Sequence, residues 1–283
     1  MRPDRRPRSL KRVLARTGKG LALALLLVWS CGPIVLMVTA AFTPERDIFG
    51  GAATDWKPTL ENFHALWSRW SDFFRALGNS LVITAGATAL AVATSLLAGY
   101  GYSRWRSGFL ARTAFGLIVL RLLPPIVCTL PLFPIVNVLR LNDTHIVLIV
   151  LYAAFFVSLG TMVMRAFIDQ IPRDLDEAAL VDGASRWQML RLVIMPLAAP
   201  GMVAVAIFVI VFAWNEFLFA FIFTAKNAKT APLVLSEMIG SLDGAEWGVL
   251  FAATTVQLLP LLAFVIACQK YLIEGLTAGS TKG

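Results

Sequence analysis

Charged residues are scarce in this chain of 283 residues. Asp, Glu, Lys and Arg make up 15% of it, whereas a typical soluble domain has about 25%. Hydrophobic residues reach 58% and the mean hydropathy is +0.74. This deficit of charge predicts a membrane protein rather than a soluble globular domain.

Residues that carry catalysis or bind metals are also few. The three cysteines lie in apolar runs without a C-x-x-C pair, which argues against a disulfide framework or a zinc site. The two histidines, His64 and His145, are expected at the surface rather than as ligands. The segment 275–282, GLTAGSTK, has the residues of a phosphate-binding loop in the wrong order. We therefore expect no catalytic residue, no metal ligand and no cofactor in this chain.

Long apolar runs dominate the rest of the sequence. A bilayer-crossing helix needs about 20 such residues, and six runs qualify, so we predict an all-α polytopic protein. A basic tail, 1–19, precedes a transmembrane domain, 20–283. The third run carries several prolines and is expected to be kinked, whereas the fifth and sixth read as cleaner helices. The predicted spans are 20–42, 78–102, 113–138, 146–167, 197–223 and 248–270.

The net charge of +8 is unevenly placed. Eight of the 25 Lys and Arg residues lie in residues 1–20, directly before an apolar run, which favours lipid headgroups over nucleic acid as their partner. With the N-terminus inside, the cytoplasmic segments hold 17 of these residues and the outer segments 7. The positive-inside bias predicts that both termini are cytoplasmic.

The loop 168–196 contains the stretch DEAALVDGASRWQMLRLVIMP, which has the signals of two short helices. Pro172 can begin the first and Gly183 can end it. Ser185 and Gln188 are spaced as a capping box for the second. That helix is expected to place four residues on one face: Trp187, Leu190, Arg191 and Ile194. The loop is predicted either to dock on another protein or to rest on lipid.

Two outer segments also carry patterns. Segment 43–75 has an apolar stripe that predicts a helix starting near Pro58 and Thr59, lying at the interface or packed on the bundle. The stripe contains Leu60, Phe63, Trp67, Trp70, Phe74 and Leu77. The loop 224–247 is longer than most connections, which favours a function for it.

Polar residues within the spans are candidates for a solute path. Trp214, Asn215 and Glu216 could offer hydrogen bonds and an aromatic face to a sugar, or form an interhelical cluster. Arg121 could reach toward the interface or pair with Glu216. Asn79 could cap the second span.

The loop sequence EAALVDGASRWQMLRLVIMP resembles the EAA motif of ABC importer permeases. The match includes Glu177, Ala178, Ala179, Asp182 and Gly183, and it ends at Ile194 and Pro196. Further stretches resemble the maltose-type permeases of carbohydrate importers, although Gly99-Tyr100-Gly101 stands where that family commonly has Ala-Tyr-Ala. These stretches are PTLENFHALW, LGNSLVIT, LLAGYGYSR, FAWNEFLFA and GLTAGSTKG.

This resemblance implies a type I ABC importer permease in the bacterial cytoplasmic membrane. The five motif residues would couple it to the partner ATPase, with Glu177 as a polar contact, the alanines allowing close approach and Gly183 giving the bend. The implied partners are a second permease, two ATPase subunits that bind ATP and Mg, and an extracytoplasmic sugar-binding protein. Two alternatives stay open: another polar solute, such as a polyol or glycerol phosphate, and an ion-coupled transporter.

Overall fold

The computed structural model describes residues 10–49, 57–105, 107–241 and 244–278, and over these ranges its regular elements are all helical. The first nine residues of the predicted tail and the segment 279–283 lie outside the described residues. The helices are α1 (Leu10–Ala41), α2 (Glu61–Arg69), α3 (Asp72–Arg104), α4 (Gly108–Leu122), α5 (Pro125–Val138), α6 (His145–Ile168), α7 (Asp174–Val181), α8 (Arg186–Met189), α9 (Met195–Leu197), α10 (Ala199–Trp214), α11 (Leu218–Phe223), α12 (Ala231–Ile239) and α13 (Trp247–Ala278).

In the part of the chain that the structure describes, four helical stretches are long and apolar enough to cross a bilayer: Thr17–Ala41, Asp72–Arg104, His145–Ile168 and Trp247–Gln269. Two further pairs of helices are each bent at a short break, and each pair could form one span. The number of spans would then be six. The first pair is α4 and α5, which meet at 101° just before Pro125. The predicted interruption of the third span is thereby confirmed, since proline cannot continue the hydrogen-bond ladder.

The fifth predicted span is less regular than expected. Helix α10 ends at Trp214, and Asn215–Phe217 separate it from the six-residue α11. The Asn215 side chain donates to the carbonyl of Val211. The Glu216 carboxylate accepts the backbone N–H groups of Phe219 and Ala220 in the first turn of α11. These side chains compete with the helical ladder, so the polar pair ends one helix and begins another.

The chain divides into two compact units, residues 1–70 with 241–256 and residues 71–240 with 257–283. In the second unit α3, α6 and α10 form the core. Small residues allow α3 and α6 to approach closely. A Cβ on Gly86 would lie 2.8 Å from Ile149 Cδ1, and one on Gly99 would lie 2.7 Å from Met164 Cβ.

In the first unit, α2 lies where the sequence predicts a helix but buries a different face. Asn62 and Leu66 are its buried residues, whereas Leu60 and Trp67 are exposed. The Asn62 amide donates to the carbonyls of Ala41 and Thr43 at 2.9 and 2.8 Å. These hydrogen bonds, rather than the apolar stripe, determine which face of α2 is buried. Trp67 is therefore exposed, as an interfacial tryptophan would be.

Further polar contacts complete the first unit. The Glu45 carboxylate accepts the backbone N–H groups of Trp247 and Gly248 at 2.8 and 2.5 Å, which satisfies amides at the start of α13. Arg69 forms an ion pair with Glu246.

Candidate functional site

The first arm of the loop 168–196 is α7, and its end follows the Schellman pattern. Gly183 has φ +82°. Its N–H donates to the carbonyl of Leu180, and the N–H of Ala184 donates to that of Ala179. These two bonds satisfy carbonyls that would otherwise lack partners, and they require a left-handed residue. The predicted glycine stop is confirmed, although the helix begins at Asp174, two residues after Pro172.

The second arm begins with the predicted capping box. The Ser185 hydroxyl accepts the N–H of Gln188 at 3.3 Å, and the Gln188 side chain accepts the N–H of Ser185 at 2.7 Å. Helix α8 then widens into a single π turn, Leu190–Ile194, before α9. Such insertions are frequent at functional sites.

The residues of the second arm divide between an exposed side and the core. Leu190 and Ile194 are buried, while Trp187 is 63% exposed. Trp187, Leu190 and Arg191 line an apolar groove of about 480 Å³ against α3. The predicted four-residue face is therefore wrong: Trp187 and Arg191 are exposed, whereas Leu190 and Ile194 are buried in the core.

A buried ion pair attaches the first arm to the transmembrane core. Arg104, the last residue of α3, places Nε 2.6 Å from Oδ2 of Asp176 in α7. Its Nη atoms also donate to the carbonyls of Ile168 and Ile171, at 3.3 and 3.1 Å. A buried charge needs such a set of partners. The sequence motif does not include Asp176 among its matched residues, and only the fold reveals its role.

A second arginine strengthens the same attachment. Arg173 donates to the carbonyl of Ser103 at 2.9 Å. The arm is thus bonded to two consecutive residues at the end of α3, Ser103 and Arg104, and its opposite side is left exposed.

The exposed side of α7 carries most of the predicted coupling residues. Val181 is 87% exposed and Leu180 45%, so two adjacent apolar side chains are exposed on this arm. Ala179 is half-buried and packs against the core, so only Ala178 of the alanine pair is fully outward. The exposed motif residues are Glu177, Ala178, Asp182 and Gly183. We name these four, together with Leu180 and Val181, the arm surface.

The predicted solute-path residues of the fifth span are brought together but have different environments. Trp214 is buried, and the Asn215 side chain is exposed at the break. The Glu216 carboxylate accepts the N–H groups of Phe219 and Ala220, at 2.9 and 3.4 Å. It therefore caps α11, and Asn215 is the most accessible of the three.

Arg121 is surrounded by aromatic rings. Its guanidinium carbon lies 4.7 Å from the ring centre of Phe155 and 5.8 Å from those of Phe156 and Phe208. Cation–π contacts of this kind stabilise a desolvated arginine. Within the described ranges no ion pair joins it to Glu216, so the pairing considered from sequence does not form.

The sequence did not single out Asp143 as a functional residue, although it lies at the centre of a dense polar cluster. Its carboxylate accepts backbone N–H groups from residues 225–228. Burial raises the pKa of this carboxyl, but the amides of Asn227, Ala228, Ala225 and Lys226 outweigh burial and lower the pKa to about 2. The same cluster contains His145, whose Nε2 lies 2.7 Å from Asn79 Oδ1.

One expectation from the sequence changes here. Asn79 lies inside α3 rather than at its start, so it is not a helix cap. Among the residues that the structure describes, no three His, Cys, Asp or Glu side chains group as ligands of a metal.

Comparisons with known proteins agree on one class. Residues 91–277 match the family described as binding-protein-dependent transport system inner membrane component. The chain is 34% identical over 279 residues to the trehalose/maltose transport system permease protein MalG of Thermococcus litoralis, covering 97% of this chain and 98% of the relative. It is 34% identical over 253 residues to the trehalose transport system permease protein SugB of Mycobacterium tuberculosis, covering 89% and 92%.

Solved structures show the same fold. A chain of a bacterial ABC transporter involved in the import of the acidic polysaccharide alginate superposes with TM-score 0.79 at 17% identity, over 95% of this chain and 99% of that one. The alginate transporter in complex with its alginate pentasaccharide-bound periplasmic protein matches with TM-score 0.70 at 16% identity, over 93% and 95%.

The fold and the loop define a helical permease of the ABC importer class, as the motif predicted. The chain belongs to the family of binding-protein-dependent transport system inner membrane components. It is therefore a multi-pass inner-membrane protein, and its resemblance to maltose-type permeases is confirmed.

Proposed function

We propose that this chain is one permease subunit of a type I ABC importer, and that the importer moves a sugar delivered by an extracytoplasmic binding protein. The relatives named for trehalose and maltose support a sugar as the solute. The alginate transporter, solved with its periplasmic protein, supports a binding protein as a partner. A second permease would complete the path.

The observation that carries the proposal is the arm surface. Its apolar residues are exposed on a helix whose opposite side is attached to the core by the buried pair Arg104–Asp176. An exposed apolar patch on a rigid base is typical of a docking site. Glu177 and Asp182 add two negative charges to this surface. A cleft on an ATPase subunit that offers apolar walls and a basic residue would fit it.

The orientation supports the same role. The 17 to 7 distribution of Lys and Arg favours cytoplasmic termini, which puts the loop 168–196 in the cytoplasm. ATP and Mg would be bound and ATP hydrolysed by two partner subunits. For this mechanism the helical bundle must have two conformational states. ATP binding in the cytoplasm and the loaded binding protein outside would each shift the equilibrium between them.

The solute path through this subunit is proposed to pass Asn215, with Trp214, Glu216 and Arg121 as its neighbours. Asn215 alone among them has an exposed side chain that can hydrogen-bond a hydroxyl group. Because Glu216 caps α11 and Arg121 contacts phenylalanine rings, these two would shape the path rather than bind solute directly.

The first experiment is an affinity pull-down of the chain from its native membrane in mild detergent, followed by mass spectrometry. Recovery of an ATPase and a second permease supports the proposal. A chain that purifies alone in several detergents would contradict it and favour an ion-coupled transporter.

Transport of labelled trehalose, maltose, glycerol and glycerol phosphate into proteoliposomes then selects the solute. Glu177→Arg and Gly183→Arg should abolish uptake while the protein stays in the membrane. Gln170→Arg is the matched control, because Gln170 is exposed outside the arm surface and its amide bonds only to the carbonyl of Ala166. Normal uptake by both arm variants would overturn the coupling role.

A further inference from the structure

A narrow groove lies between the second arm of the loop and the side of α3. Ala89, Ala93 and Leu97 line it from α3; they are exposed and recur every four residues, so they share one face of that helix. The second arm contributes Trp187 and Arg191. The volume of about 480 Å³ lies within the range of ligand pockets, about 300–1,000 Å³. The groove is therefore large enough to hold a molecule rather than a few waters.

The described lining of this groove is almost entirely apolar, and Arg191 is the one residue of it that carries a charge. Arg191 is exposed, and no ion pair in the described part of the chain includes it. Arg186, on the same arm, places its guanidinium carbon 5.5 Å from the ring centre of Trp105. The segment 185–197 contains these two arginines and no acidic residue. The arm thus presents net positive charge beside an apolar groove.

The second arm is oriented along the membrane surface. The helical stretch Arg186–Leu197 meets α10 at 74°. Because α10 belongs to a span, an arm at this angle runs nearly parallel to the plane of the bilayer. Trp105 is 44% exposed and Trp187 63%, as expected of tryptophans at the membrane–water interface. The two arginines of the arm therefore lie at the level of the lipid headgroups.

The groove extends from this interface into the hydrocarbon region. Helix α3 ends at Arg104. At 1.5 Å per residue, Leu97 lies about 10 Å and Ala89 about 22 Å from that end. The hydrocarbon core is about 30 Å thick. With the loop in the cytoplasm, as proposed above, the groove lies in the cytoplasmic half of the bilayer, where the acyl chains of the inner leaflet are.

These features fit a phospholipid with an anionic headgroup better than another helix. A helix of a second permease seated in the groove would cover Arg191 with apolar residues, and a charge left unpaired there is costly. A phospholipid supplies an acyl chain for the groove and a phosphate for the guanidinium. Basic residues at the cytoplasmic surface are also attracted to anionic lipids.

We propose that this groove binds an anionic phospholipid of the inner leaflet, with one acyl chain along the α3 face and the phosphate beside Arg191. The bound lipid bridges α3 and the second arm, so the lipid contributes to the position of the loop. This inference requires that the loop lie in the cytoplasm, but it does not require that the solute be a sugar.

The test is native mass spectrometry of the transporter as the pull-down recovers it, delipidated in mild detergent and titrated with phosphatidylglycerol or phosphatidylcholine of identical acyl chains. Wild type should bind phosphatidylglycerol about fivefold more tightly than phosphatidylcholine. Arg191→Gln should remove this preference, whereas Arg191→Lys should retain most of it. Ala93→Phe fills the groove and should lower the affinity for both lipids about tenfold.

Two control variants distinguish the groove from the surrounding surface. Arg112→Gln removes an exposed arginine of α4 outside the groove, whose Nε donates to the carbonyl of Gly108. Ala85→Phe adds the same bulk as Ala93→Phe on the exposed side of α3 beyond the groove. Both controls should bind the two lipids as wild type does.

Equal affinity of wild type for the two lipids, or an unchanged preference in Arg191→Gln, would overturn the inference. Wild-type affinity in Ala93→Phe would do the same, because the acyl chain would then lie elsewhere. Displacement of the lipid by inorganic phosphate would indicate a plain anion site instead. If wild type bound neither lipid and Ala93→Phe lost the second permease, a helix of that subunit would be the occupant. Since no solute is present in this assay, its result does not depend on the uptake experiments.

Discussion

Nε of Arg104 lies 2.6 Å from Oδ2 of Asp176, and both side chains are almost completely buried. The pair joins the last turn of α3 to the first arm of the loop 168–196. Any displacement of this arm by a docked partner would therefore be passed directly to a long helix of the core. A buried pair of this kind contributes little net stability when intact, but removing one partner leaves an uncompensated charge.

Breaking this pair should detach the arm. Arg104→Gln is expected to destabilise the protein by about 3–5 kcal/mol, measured as a lower thermal unfolding midpoint in detergent, with loss of the copurifying ATPase. The double variant Arg104→Gln/Asp176→Asn should recover part of the thermal midpoint and part of the ATPase copurification, because neither charge is then left unpaired. Arg165→Gln is the control: its pair with Asp169 is half-exposed and 3.5 Å long, which makes it worth only about 0–1 kcal/mol. Equal effects of Arg104→Gln and Arg165→Gln would contradict this account.

The bend at Gly183 should depend on backbone conformation alone. A Cβ at this position would meet no atom within 4 Å, but the residue has φ +82°. Gly183→Ala is therefore expected to cost about 1–2 kcal/mol through the left-handed penalty, and to weaken ATPase copurification. Gly183→Asn should cost less, because asparagine tolerates this conformation. If alanine and asparagine behaved alike, crowding rather than backbone conformation would be the cause.

Local sequence signals predicted the parts of the fold that local chemistry controls. The glycine stop at Gly183, the capping box at Ser185 and the break before Pro125 follow from residues within a few positions of each other. The break after Trp214 was not predicted, because it involves neither proline nor glycine. Its signal was the polar pair Asn215–Glu216 inside an apolar run, which was interpreted as a possible solute contact.

Contacts between distant parts of the chain could not be predicted from such signals. Arg104 and Asp176 are 72 residues apart, and Asp143 is 82 residues from Ala225. Nothing in the sequence around either aspartate distinguishes it from a solvent-exposed carboxylate. The face of α2 was missed for a similar reason, since the bonds of Asn62 to Ala41 and Thr43 fix its orientation.

The α3–α6 contact should distinguish two neighbouring glycines. A Cβ on Gly99 would lie 2.7 Å from Met164 Cβ and 3.0 Å from the backbone nitrogen of Arg165, whereas one on Gly101 meets no atom within 4 Å. Gly99→Ala must push the two helices apart and is expected to cost about 1–3 kcal/mol. Gly101→Ala should be neutral or stabilising by about 0.5–1 kcal/mol, since alanine favours helix. Thermal unfolding of the two purified variants gives the comparison. A more stable Gly99→Ala would mean that the helices are not packed as closely as described.

The stabilisation that the Asp143 carboxylate provides should be insensitive to pH over the physiological range and be lost only in acid. Its pKa is lowered from 3.8 to about 2, so the folded state binds a proton less readily than the unfolded chain does. The stabilisation is therefore fully present above about pH 5 and is lost as the pH falls toward 2. We expect the thermal midpoint of wild type to exceed that of Asp143→Asn by a constant margin from pH 8 to pH 5, and this margin should shrink below pH 4. Asp72→Asn is the control for general acid effects. A margin that changed between pH 8 and pH 5 would mean that another titrating group governs the cluster.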